Sequence, residues 1–158
     1  MNDLPDLLPG DVLIYTGRSF FDWVIRLKRG SFACHTEIYI GGGQSVAARN
    51  WPQKVNRYPV RWKGLYRVYR PNQTVDIDAA MKWFYSKAQG KSYDILGLLC
   101  FTFAAWQSSP DKFFCSEFAR DFLVPGGFDP YNPDFDSDHC APDHYETSAN
   151  CTTFWKEP

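Results

Sequence analysis

The sequence lacks three things that would each point to a function: a long apolar run, an excess of positive charge, and paired cysteine spacing. Its longest apolar stretch, residues 95–106, is twelve residues and includes Gly97 and Thr102, whereas a membrane-spanning helix needs about 20. That stretch reads as a buried or interfacial helix. The opening residues MNDLPDLLPGD have no basic segment followed by an apolar one, so no secretory signal is expected and the chain reads as made in the cytoplasm. Seventeen Lys and Arg against eighteen Asp and Glu leave a net charge of -1. No basic field exists to neutralise a phosphate backbone, and nucleic acid is not an expected partner. The five cysteines, Cys34, Cys100, Cys115, Cys140 and Cys151, are odd in number with no C-x-x-C, which argues against a complete disulfide framework or a zinc ribbon. A Cys140–Cys151 bridge stays open, because sequence does not fix the distance that a disulfide requires.

What is present fits one domain over 1–158, since 158 residues suffice for a full core. Aromatics make up 18% of the chain, enough for a packed interior with stacking capacity left over. Residues 11–15 read as a strand, and Ser19 as the cap of a helix over 20–29 that Gly30 ends. Residues 35–40, the triple glycine 41–43 and residues 44–48 have the layout of a β-hairpin. A phosphate-cradling loop is the sharper reading of the glycines, but no Lys-Ser/Thr follows them. Strands at 54–58 and 65–69 complete a small antiparallel sheet. Thr74 is positioned to cap a helix over 76–89 that stops at Gly90. A further helical stretch runs over 116–124. Residues 126–158, rich in Pro, Asp and Asn, read as an irregular C-terminal tail.

Alternation along the strand at 35–40 puts His35, Glu37 and Tyr39 on one face and Thr36, Ile38 and Ile40 on the other. His35 and Glu37 are then about 7 Å apart at the backbone, within reach of a hydrogen bond that would fix the imidazole tautomer and stabilise its cation. A solvated polar face is the plainer alternative. Cys115 stands where a helix begins. A thiol there loses its proton more easily, especially beside an imidazolium, and Ser116 and Glu117 suit a first helical turn. The backbone N–H at such a position is a natural oxyanion donor. Equally, Cys115 with Phe118, Ala119 and Phe122 makes an ordinary apolar stripe, and spacing does not decide between the two.

Other candidates are weaker. Asp134, Asp136 and Asp138 resemble the start of a calcium loop, but His139 replaces the turn glycine and Tyr145 stands at the twelfth position. His139 and His144, with Asp138, Cys140 and Asp143, match no familiar zinc spacing. No metal and no cofactor is expected. The absence of G-x-S-x-G leaves a serine hydrolase without support.

Taken in order, Pro9-Gly10-Asp11-Val12-Leu13, His35-Thr36-Glu37-Ile38-Tyr39-Ile40-Gly41, Gly90-Lys91-Ser92-Tyr93-Asp94 and Phe114-Cys115-Ser116-Glu117-Phe118 resemble the circularly permuted, YiiX-like branch of the NlpC-type papain-like cysteine hydrolases. The resemblance covers roughly residues 9–125. It implies an α+β, papain-like fold, a small antiparallel sheet or barrel packed against helices, with the histidine strand ahead of the cysteine helix. It implies Cys115 as nucleophile, His35 as general base and Glu37 as the polar third member, with Tyr93 and Ser116 near the substrate or oxyanion. In many non-permuted relatives the third residue comes about a dozen positions after the histidine, which here is Ala47. Arg49 and Asn50 are the nearby fallbacks. The activity so implied is a cysteine amidase or endopeptidase acting on peptidoglycan stem peptides. Without a signal peptide, a phage-encoded protein or another route to the wall would fit. A lipid-directed acyltransferase or thioesterase is the second expectation, with Phe20, Phe21, Trp23 and residues 95–106 as a surface for membrane contact. An inert binding module of the same fold is the third. No obligate protein partner is evident.

Overall fold

The computed structural model describes residues 5–17, 30–49, 52–94, 112–131 and 141–157. The helix expected over 20–29, the apolar stretch 95–106, Asn50 and the acidic stretch 134–139 lie outside them. Six strands form one antiparallel sheet: β1 (Val12–Tyr15), β2 (His35–Gly41), β3 (Gln44–Ala48), β4 (Val55–Pro59), β5 (Leu65–Pro71) and β8 (Cys151–Lys156), in the order β4-β3-β2-β1-β5-β8. β1 is buried at all four positions, which explains why it reads as a continuous apolar run rather than as an alternation. Its Val12 and Ile14 join Ile38, Val46 and Ala48 in the main core, while Leu13 and Tyr15 pack with Leu65 and Val68 on the other face.

The triple glycine is the hairpin turn expected. Gly42 and Gly43 take φ of 59° and 71°, a left-handed pair that glycine adopts at little cost. Helix α1 (Ile77–Trp83) continues into a wide π turn over Phe84–Ala88. Its cap is Asp76 rather than Thr74, because the Asp76 carboxylate accepts from the Ala79 N–H at 2.9 Å, a carboxylate there satisfying an otherwise unpaired first-turn donor.

Helix α2 (Cys115–Leu123) is buried along nearly its whole length and packs on β2 and β3. Phe118 and Phe122 meet Phe84 edge-on, with centroids 6.3 and 6.4 Å apart. Each buried ring of this kind contributes about 1.5–3 kcal/mol by burial. The polar residues of a helix enclosed this way need partners. Arg120 takes the Asp129 carboxylate at 3.0 and 2.8 Å, and Glu117 accepts from the Phe114 N–H at 3.2 Å, closing the helix start.

Two short strands, β6 (Ser92–Tyr93) and β7 (Lys112–Phe113), pair in parallel with Tyr93 opposite Phe113. The C-terminal residues correct the expectation of an irregular tail over 126–158. A 3₁₀ segment, Pro142–Thr147, buries Tyr145, and β8 then pairs with β5. β8 is an edge strand with mostly exposed side chains, so it carries none of the alternation that marks a half-buried strand. Among the described residues no helix is long and apolar enough to cross a membrane.

Candidate active site

His35 opens β2 and Cys115 opens α2, and the docking of that helix on β2 brings them together. The Cys115 sulfur lies beside the His35 ring, the Thr36 backbone N–H and the Tyr93 hydroxyl, all of which favour its ionised form. Pairing of β6 with β7 is what carries Tyr93 there, one residue pair before the helix start. Burial alone opposes ionisation of the thiol, but the imidazole, the Thr36 N–H and Tyr93 outweigh it and hold Cys115 below the ordinary thiol range. The same balance acts in reverse on His35. Burial disfavours its cation, yet hydrogen bonds and charge from Cys115 and Glu37 raise it to about 9. Both shifts favour the same ion pair, a thiolate facing an imidazolium.

Glu37 anchors the other side of the ring. Its Oε1 lies 3.1 Å from His35 Nε2, which leaves Nδ1 as the ring nitrogen for the sulfur. Ser45 donates to Oε2 at 2.6 Å, and Arg49 Nε and Arg61 Nη2 each donate to Oε1 at 3.0 Å. Arg49 Nη2 is also 2.8 Å from Oε1 but poorly aligned for a hydrogen bond, so it acts as a charge contact. Burial would push this carboxyl up, but His35, Arg49 and Ser45 bring it down to about 2. Glu37 is completely enclosed, so the His35 face of the sheet is not the solvated polar face that alternation alone would allow.

Tyr15 supports the ring from β1. Its centroid is 6.1 Å from that of His35, and the Arg61 guanidinium lies over it at 4.9 Å. Burial, then the Glu37 charge, hold its phenol strongly in the neutral form.

The expected residues therefore separate. Cys115, His35, Glu37 and Tyr93 converge on one point. Arg49, considered as a third member, instead pairs with Glu37 and stacks over the Tyr58 ring at 4.0 Å. Ala47 is a buried core residue of β3. Ser116 is fully buried in the first turn, with no exposed side-chain surface to offer a substrate. Sequence reasoning passed over Ser45, Tyr15 and Arg61. Ser45 was within reach of it, because the hairpin register puts Ser45 opposite Tyr39, on the Glu37 side. Arg61, from the loop between β4 and β5, has no periodic signal.

No protein-family model matches the chain, and no curated protein sequence does. A solved structure described as metalloprotein YiiX, from Escherichia coli O157:H7, superposes with a TM-score of 0.69 over 94% of this chain and 97% of its own, at 19% identity. This chain has the YiiX-like fold. The match takes in nearly the whole chain, so the YiiX-like fold reaches beyond the residues 9–125 on which the sequence resemblance rested. Among the described residues no cluster of three or more His, Cys, Asp or Glu could hold a metal ion. Cys34, Cys115 and Cys151 are free thiols.

Proposed function

We propose that the protein is a cysteine hydrolase of the circularly permuted, papain-like NlpC type, cleaving an amide bond of a peptidoglycan stem peptide. The observation that carries this is the Cys115–His35–Glu37 relay, in which a helix-start thiol, a strand imidazole and a buried carboxylate meet in hydrogen-bonding order. The Cys115 thiolate attacks the carbonyl carbon, forming a C–S bond as the carbonyl π electrons move to oxygen. Donors at the start of α2, where first-turn N–H groups have no intrahelical acceptor, stabilise that oxyanion together with the Tyr93 hydroxyl. The His35 imidazolium passes its proton to the leaving nitrogen as the C–N bond breaks. Water then gives a proton to the neutral imidazole and attacks the thioester, and the C–S bond breaks to return the thiolate and release the acid. Glu37 keeps the ring oriented and its cation stable throughout.

The YiiX structure is described as a metalloprotein. The relay here does not fit a cation: His35 Nε2 is taken by Glu37, its other nitrogen faces the thiolate, and two guanidinium groups already crowd the one carboxylate. No step is routed through a metal.

Lipid-directed acyl transfer is the second reading. It draws on Phe32 and Trp62, which are 56% and 43% exposed and stand three residues before His35 and next to Arg61. Muropeptide digestion separates the two. Wild-type protein should release fragments from stem peptides, and Cys115→Ala should not. Release by Cys115→Ala at the wild-type rate would end the cysteine mechanism, and cleavage of acyl esters alone would favour the second reading. Site-resolved alkylation at about pH 6, where an ordinary thiol is protonated, tests the inert-module alternative. Cys115 should label far ahead of Cys34 and Cys151.

A further inference from the structure

Among the described residues, the positive groups that meet at Glu37 outnumber its single carboxylate. The Cys115 thiolate is balanced by the His35 imidazolium, and the Glu37 carboxylate by Arg49, whose side chain is only 10% exposed. Arg61 brings one more positive charge, and among the described residues Glu37 is its only carboxylate contact. Glu37 is thus shared by two guanidinium groups and an imidazolium. A surplus positive charge raises the local potential and favours an anion beside it.

Arg61 is also held as a recognition group would be. Its guanidinium rests over the Tyr15 ring at 4.9 Å and is tied through Nη2 to Glu37 at 3.0 Å, yet its side chain remains 49% exposed. An arginine has five N–H donors in a planar fork. Within the described residues the fork makes one hydrogen bond, Nη2 to Glu37, which leaves the other donors of this half-exposed side chain for a ligand. This geometry suits an oxygen pair such as a carboxylate, because a fork oriented in advance loses little freedom on binding.

We propose that Arg61 forms an anion subsite of the active centre and selects substrates carrying a carboxylate near the bond to be cleaved. The proposal rests on the cysteine-hydrolase reading and deepens it by naming the charge of the substrate. Arg61 binds and orients; the relay does the chemistry.

The test compares two thiol reagents of nearly equal shape on the full-length protein at about pH 6: 3-maleimidopropionate, which ends in a carboxylate, and its uncharged amide. Labelling of Cys115 is scored by peptide mass. Wild-type protein should prefer the carboxylate reagent by about two- to fivefold, the range of a partly exposed ion pair. The preference should disappear in Arg61→Gln, return in Arg61→Lys, and shrink with added salt. Matched thermal unfolding of Arg61→Gln guards against a folding defect. An unchanged preference in Arg61→Gln would overturn the subsite. Equal slowing of both reagents would overturn it too, leaving Arg61 only the positioning of Glu37. If wild-type Cys115 ignores both reagents, the hydrolase reading itself falls, and the subsite with it.

Discussion

His35 Nε2 lies 3.1 Å from Glu37 Oε1, two positions along the same strand, and that oxygen also takes the Arg49 and Arg61 guanidinium groups. Glu37→Gln keeps the shape and removes the charge. The His35 pKa, now about 9, should fall, because it loses the Glu37 hydrogen bond and charge. The alkaline limb of a kcat/KM–pH profile should then move toward acid, and labelling of Cys115 near pH 6 should slow by about tenfold, one pKa unit being a tenfold change. An unmoved alkaline limb would show that the imidazolium does not depend on Glu37.

The same carboxylate predicts an acid sensitivity. Its pKa is lowered in the folded protein from 4.5 to about 2, so the stability it gives is fully present above pH 4.5 and is lost as pH falls toward about 2. At 1.36 kcal/mol per unit the contribution is on the order of 3 kcal/mol. Denaturant unfolding at descending pH checks this. The gap between wild type and Glu37→Gln should narrow with acid, and a constant gap would contradict it.

Tyr93→Phe removes the hydroxyl that favours the Cys115 thiolate without changing the ring. The thiol should titrate higher, and kcat should fall by about ten- to a hundredfold, the worth of one hydrogen bond to a charged group. Stability should hardly change, because Tyr93 is only partly buried. A normal kcat with a shifted thiol would confine Tyr93 to the resting state.

Asp11 is enclosed at the start of β1 and accepts from Arg70 Nε at 2.9 Å, Arg70 Nη2 at 2.8 Å and the Leu8 N–H at 2.8 Å. This clasp closes the end of β1 opposite to Tyr15, the residue paired with His35. Asp11→Asn should cost about 2 kcal/mol, below the usual value for a buried pair because Arg70 reaches solvent. Activity per folded molecule should be unchanged; a loss of kcat at full folding would mean that the clasp sets site geometry.

Gly126 carries a packing prediction. A Cβ there would come within 2.7 Å of Val75 Cγ1 and 2.9 Å of the Asp76 carbonyl oxygen, where the Asp76 N–H also meets the Gly126 carbonyl at 2.9 Å. Gly126→Ala should destabilise by about 1–3 kcal/mol through overpacking. Thermal unfolding reads it directly, and an unchanged Tm would show that the junction can yield.

Local pattern made the hairpin, the His35–Glu37 face and the helix-start cysteine legible, because each rests on alternation or on a terminus within a few residues. The partners of Glu37 were harder. Arg61 is 24 positions away on a loop, and loop residues reach a site by chain path rather than by period. β8 escaped notice for a related reason. Its pairing is made by backbone groups with β5, and backbone hydrogen bonding is indifferent to the side chains that a sequence displays. The buried state of Glu37 was also invisible, since alternation says which face a residue takes and not what covers that face.

The groups that lower the Cys115 pKa come from β2 and β6, segments that meet it only when the tertiary fold is complete. An unfolded or half-made chain therefore carries an ordinary thiol, protonated at neutral pH and slow to react. Such copies would react only slowly with stray electrophiles. Acid-side labelling of this one cysteine thus counts correctly folded molecules, and in a refolding experiment it would serve as a clock for the docking of the helix.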